Sequence, residues 1–290
     1  MKKILALLFA VILSAGVFGE DFVLSGRNMK IVLKETDRNI VLSRVSDMKT
    51  GTDFINTLDF FRPLWHFTVK KDRDFQGSEI NLLPKDADTF SYIKGKNSYE
   101  FIWKNVKKSF MKVGFDVTVS AEIKDDNSYW KIRISENEEY GLWHIYFPYI
   151  ANMDAQNGDE IMYPYRGGFL YNKFDDIRGF RKPYAHDESD SSYSKDLGYI
   201  SPQFFQLGSF TKISPKGEKV SLYFSAEDRN CSMKSINYIL PKPNVFDYQI
   251  RNFPENMSLK GLSYEQKYKF NMALVRGDWF DCARNTENGE

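Results

Sequence analysis

Apolar and polar residues alternate along most of this chain. Val113, Phe115, Val117 and Val119 fall on one face of an extended segment, with Lys112, Asp116 and Thr118 on the other. A polar cluster at 124–128 (KDDNS) follows, and Trp130, Ile132 and Ile134 then alternate with Lys131 and Arg133. A period of two on both sides of a turn predicts a hairpin with one buried and one wet face. The grammar returns at 210–213 and at Val220, Leu222 and Phe224, joined by SPKGEK, where Pro215 and Gly217 supply the turn. It returns again at Tyr268, Phe270, Met272 and Leu274. Further strands are expected at 22–24, 29–34, 40–44, 65–69 and 99–103.

A 3.6-residue stripe is found only in the final dozen residues, where Asp278 reads as a helix cap and Trp279, Phe280 and Ala283 as an apolar face. Short strands at this spacing predict an all-β, antiparallel sandwich with a short C-terminal helix. An outer-membrane barrel needs ten-residue strands with an unbroken lipid-facing side. Several strands here are shorter, and charged residues interrupt both faces, such as Lys30, Lys34 and Glu35 near the first strand, so the sandwich is preferred. The region 154–194 is polar and loses alternation, which in a compact domain points to function or disorder.

Composition reinforces the strand reading: 16% of residues are aromatic, with 24 Phe and 17 Tyr. The first nineteen residues read as a secretory signal, with Lys2 and Lys3, a ten-residue apolar run, and Val17 and Gly19 before the cleavage point. Ten apolar residues are too few to span about 30 Å of hydrocarbon. The expectation is export to the periplasm or the outside, with no membrane span once the signal is removed. A formal charge of +1 lacks the excess of Lys and Arg that a nucleic-acid partner demands. Cys231 and Cys282 read as two separate thiols, although an exported chain permits a bond between them.

Several segments, taken in order, resemble one family. TGTDFIN and RPLWHFTV (50–56, 62–69) resemble the opening of a galactose-mutarotase-like supersandwich. That module precedes the catalytic (β/α)8 barrel in large bacterial glycoside hydrolases related to the endo-α-N-acetylgalactosaminidases. GLWHIYFPYI, MYPYRGG, SPQFFQLGSF, SLYFSAED and GDWFDCA are similar to later segments of the same module. The resemblance covers essentially the whole mature chain. It implies a signal at 1–19, a supersandwich at 20–276, and at 277–290 the start of a linker helix to a catalytic barrel that this chain does not include. It also implies a non-catalytic part of a carbohydrate-active enzyme, with a glycan as partner and the barrel in cis.

Among candidate side chains, Tyr163, Tyr165 and Arg166 form the best ligand-facing cluster, two rings for sugar C–H faces and a guanidinium for hydroxyls. Arg181, Tyr184 and His186 lie together in RGFRKPYAHDESD, and a mutarotase or lyase would use such groups to move a proton. The alternative for these residues is loop packing or a mobile loop. Asp228, after a predicted strand, is the first carboxylate to inspect for glycoside hydrolysis, against its reading as a turn acid. His66 and His144 each follow a Trp in an alternating strand, so their imidazoles are expected on the face opposite the core. No cofactor motif is present and no metal set has zinc or EF-hand spacing. Three readings stand: a non-catalytic glycoside-hydrolase module, a stand-alone enzyme working through His186, Tyr165, Arg166 and Asp228, and a structural surface protein.

Overall fold

The computed structural model describes residues 21–56, 62–163, 169–172, 174, 193–196 and 207–285. The expected signal at 1–19 lies outside them, as do Tyr165, Arg166, Arg181, Tyr184 and His186.

The chain enters a first sheet with β1 (Asp21–Ser25), β2 (Met29–Thr36), β3 (Asn39–Asp47), β4 (Thr52–Asn56), β5 (His66–Lys71) and β6 (Ile80–Leu82). It crosses to a second sheet for β7 (Thr89–Lys94), β8 (Ser98–Val106), β9 (Phe115–Lys124) and β10 (Asn127–Ile134), then returns to the first with the long β11 (Tyr140–Asp154). Thereafter it alternates. The second sheet gains β12 (Glu160–Tyr163) and β13 (Phe169–Tyr171), and the first gains β14 (Tyr193–Asp196). The second then gains β15 (Leu207–Ile213) and β16 (Lys219–Ala226), and the first β17 (Lys234–Lys242) and β18 (Val245–Asn252). The second is completed by β19 (Tyr264–Glu265) and β20 (Phe270–Arg276), ahead of a helix α1 (Trp279–Asn285). Strand order is β1-β2-β3-β4-β11-β18-β17-β14 in the first sheet, where β5 also pairs with β11 and with β6. In the second it is β13-β12-β15-β16-β20-β10-β9-β8-β7, with β19 beside β10. Every pairing is antiparallel, which gives the expected all-β sandwich with one short C-terminal helix. No helix among the described residues is long and apolar enough to cross a membrane.

Aromatic side chains fill the space between the sheets. Trp65 meets Trp103 edge-on at 5.2 Å, Phe67 meets Phe115 at 5.4 Å, and Phe22 meets Phe101 at 5.1 Å. Further along, Phe246 meets Phe210 at 4.7 Å and Tyr248 stacks on Phe224 at 4.7 Å. In each pair one ring comes from the first sheet or the segment leading into it and the other from the second. Such contacts add about 0.5–1.5 kcal/mol each beyond the area they bury. Gly208 is required by close approach, because a Cβ there would lie 1.9 Å from the Tyr238 hydroxyl of the facing sheet.

Polar links stitch the sheets where they meet. The Asp126 carboxylate, in the two-residue turn between β9 and β10, accepts the backbone N–H groups of Asn28 and Met29 at 2.6 and 2.9 Å. Gly26 makes room for that turn, since a Cβ would lie 1.7 Å from the Asp125 carbonyl oxygen. At the end of β3, Asp47 is fully buried and paired with Arg276 of β20, one contact measuring 2.7 Å. Burial pushes the Asp47 carboxyl up, but donors from Arg276, Thr50 and the Lys49 backbone outweigh it and hold the group below the usual carboxylate range.

Two expectations need correction. Val113 is 55% exposed and precedes β9, because the pairing of β8 with β9 begins at Val106 and Phe115. The helix does start after Asp278, whose carboxylate accepts the Phe280 N–H at 3.0 Å. However, Trp279 and Phe280 are 39% and 55% exposed, and Cys282 is the residue that α1 buries against β15, β16 and β20. Cys231 lies at the surface and Cys282 inside, and no disulfide joins them.

Candidate functional site

The strongest polar constellation lies on the outer face of the first sheet. Along β18, Phe246, Tyr248 and Ile250 point into the core, so the period of two turns Asp247, Gln249 and Arg251 outward. On β17 the same logic buries Ile236 and Tyr238 and turns Ser235 and Asn237 outward. In β11 the register shifts between Tyr146 and Tyr149, which brings both tyrosines to the outer face.

Pairing aligns these residues in rows across the strands. His66 lies opposite Tyr146, Tyr146 opposite Arg251, and Arg251 opposite Ser235. In the next row Tyr149 lies opposite Gln249, which lies opposite Asn237. Arg62, just ahead of β5, donates to the Tyr149 hydroxyl at 2.8 Å and to the Asp247 carboxylate. Asp247 also accepts from the Tyr149 hydroxyl at 3.1 Å and from the Asn152 N–H at 2.8 Å. That carboxylate is fully buried and wholly committed to this network. The Arg251 Nε donates to Ser235 Oγ at 3.2 Å, and Asn237 Nδ2 to Gln249 Oε1 at 3.4 Å. Asn237 is 6% exposed, yet its Oδ1 accepts from nothing among the described residues. A buried acceptor left open costs about 1–3 kcal/mol, and a ligand hydroxyl would satisfy it.

The two histidines here are held neutral. The His66 ring stacks on Tyr146 at 4.2 Å, and burial pushes its imidazole down to about 4. Burial likewise lowers His144, against the opposing pull of the Glu79 carboxylate 3.4 Å away. His66 lies opposite the core-facing Trp65, as alternation predicts. His144 reaches the outer face by a different route, because a register shift between Leu142 and His144 leaves Trp143 half-buried under the Lys70 ammonium at 4.1 Å.

A buried neutral histidine has a signature. An unfolded chain takes up a proton on histidine near pH 6.5, whereas folded His66 does so only near 4. Stability should therefore fall as pH drops through that window. In urea denaturation series, His66→Gln should lose less than the wild type between those two pH values. An equal loss in both proteins would show that His66 does not titrate in this way.

Of the sequence candidates, Asp228 is described fully. It is buried and bound to Lys234 Nζ at 2.5 Å, and it accepts the Ser232 and Asn230 N–H groups at 2.6 and 3.1 Å. Burial pushes its carboxyl up, but Lys234 and these donors outweigh it and leave the group below its ordinary value. It closes the turn between β16 and β17. Tyr163 ends β12, opposite Phe169, and only its backbone is described. The other five candidates lie outside the described residues. Sequence reading missed Arg62, Tyr149, Asp247 and Gln249. The available signal was FDYQIRN, where three polar residues alternate with three core residues.

Among the described residues, no group of three or more His, Cys, Asp or Glu is placed to hold a metal ion. No family model and no curated protein matches the chain by sequence. Solved structures match it by fold. A galactose mutarotase related enzyme from Lactobacillus acidophilus is 12% identical with a TM-score of 0.52, over 89% of this chain and 99% of that one. A GalM/aldose epimerase homologue from C. elegans is 11% identical with a TM-score of 0.51, over 90% of this chain and 100% of that one. An alpha-N-acetylgalactosaminidase from Bifidobacterium bifidum, in its GalNAc complex, is 10% identical with a TM-score of 0.53. There the match covers 92% of this chain but 39% of the enzyme. The fold is thus the β-sandwich of galactose mutarotases and aldose epimerases. The same sandwich forms part of a larger glycosidase.

Proposed function

We propose that this chain is a non-catalytic, saccharide-binding sandwich of an exported carbohydrate-active enzyme, which holds its sugar on the outer face of the first sheet. The observation that carries the reading is the Arg62–Tyr149–Asp247 network beside the open Asn237 acceptor. Fixed donors, an unsatisfied buried amide oxygen and the stacked Tyr146–His66 pair offer a sugar both hydrogen bonds and an apolar rim. Proton transfer asks for more, since an acid or base works best with a pKa near the operating pH. His66 sits far below that range, and Asp247 is occupied by three donors. The partial coverage of the larger glycosidase supports a role beside a catalytic barrel, and the apolar N-terminal run supports export.

Titration calorimetry with galactose and N-acetylgalactosamine, run beside polarimetry of freshly dissolved α-galactose, tests this function. Binding without faster mutarotation is expected. The near-complete coverage of stand-alone mutarotase-like proteins favours one competing reading, an independent sugar epimerase. Mutarotation accelerated by this chain and lost in His66→Gln would establish that competitor and overturn ours. N-terminal sequencing of the exported protein should begin at Glu20.

A further inference from the structure

A second concave surface lies on the other side of the molecule. On the outer face of the second sheet, a cleft of about 490 Å³ runs over β8, β9 and β10. Its shape follows from the order of side chains across the strands. One row reads Ile93, Glu100, Ser120, Lys131, and the next reads Ser98, Glu122, Tyr129. Each row places a serine among long neighbours, so the floor is low and the walls are high. The volume falls within the range of about 300–1,000 Å³ typical of ligand sites.

The chemistry of the walls is mixed and balanced. Lys269 Nζ pairs with Glu122 at 2.7 Å and lies 5.2 Å from the centre of the Tyr129 ring. Lys131 Nζ pairs with Glu265 at 2.5 Å. Exposed pairs of this kind contribute only about 0–1 kcal/mol, so a ligand can exchange them for its own hydrogen bonds at little cost. Glu100 differs. It is half-buried and has no hydrogen-bond or ion-pair partner among the described residues. Arg133 also lines the cleft and shares Glu265 with Lys131 at 3.3 Å, so three carboxylates, Glu100, Glu122 and Glu265, face three cations, Lys131, Arg133 and Lys269, which gives no net preference for an anion or a cation. Acceptors, donors and one half-buried phenol ring suit a neutral molecule with many hydroxyls and an apolar C–H face.

We propose that this cleft is a second saccharide-binding site, separate from the Arg62–Asp247 face and specific for neutral oligosaccharides. The Glu100 carboxylate accepts from neighbouring hydroxyls, Lys131 and Lys269 donate, and the Tyr129 ring packs on a sugar face. Calorimetry with maltohexaose, cellohexaose and mannohexaose, together with amide shift mapping, tests it. At least one hexasaccharide should bind and shift the amides of β8 to β10. Glu100→Gln, which keeps shape, and Tyr129→Ala should each weaken that binding about tenfold, close to the loss of one charge-assisted hydrogen bond. Should Tyr129→Ala unfold, Glu100→Gln alone decides. The proposal is overturned if none of the three binds at millimolar concentration, if shifts appear only on β5, β11 and β18, or if Glu100→Gln binds as the wild type does. Binding of monosaccharide at the Arg62 face is read separately and should persist in Glu100→Gln, so either site can fail alone.

Discussion

Replacing Trp65 with alanine is expected to lower the free energy of unfolding by about 4 kcal/mol, in the range for large aromatic truncations in a core. The indole has no exposed surface. It stands edge-on to Trp103 at 5.2 Å and lies nearly parallel to Phe67 at 5.7 Å, so its loss opens a void between the two sheets. The phenylalanine variants separate packing from hydrogen bonding. Trp103 Nε1 donates to the Arg38 carbonyl at 2.7 Å, whereas Trp65 Nε1 has no partner among the described residues. Trp65→Phe therefore removes an unsatisfied donor, while Trp103→Phe orphans an acceptor. Urea denaturation should rank Trp103→Phe as the more damaging of the two, at unchanged m-value. The reverse order would mean that packing alone sets the cost.

Removing Arg62 is the second large effect. Arg62→Ala strands a fully buried carboxylate, Asp247, which among the described residues keeps the Tyr149 hydroxyl and the Asn152 N–H. Breaking a buried pair from one side costs about 3–5 kcal/mol. Arg62 is itself 28% exposed, which places the expected loss near about 3 kcal/mol. Replacing both partners by apolar residues, Arg62→Met with Asp247→Leu, should restore most of that stability, because no charge is left buried. Saccharide binding at this face should vanish in the single and the double variant alike. If the double variant still bound galactose or N-acetylgalactosamine, the network would be scaffolding and the sugar site would lie elsewhere.

The architecture was legible in the sequence because alternation and burial are the same fact in a sandwich. Phe115 to Val119, Trp130 to Ile134 and Val220 to Phe224 were read correctly from period alone. The site was not legible, for two physical reasons. Its residues come from segments far apart in sequence, Arg62 and Asp247 being 185 positions apart, and only strand pairing makes them neighbours. Register shifts in β11 also break the period that locates them, so Trp143 reads as core by alternation although it is half-buried on the outer face. Asp228 was the reverse case. Its position after a strand drew attention, but its buried partner Lys234, six residues on, identifies a closed turn.

The path of the chain between the sheets also governs how the molecule must be made. Trp130 on β10 is paired with Phe270 on β20, and Ile55 on β4 with Met153 on β11. At ribosomal speed, about 5–20 residues per second, the last strand follows β10 by roughly ten seconds. For that interval one edge of a nascent, aromatic-rich sheet waits without its neighbour, which makes prompt delivery or a holding chaperone a condition of yield.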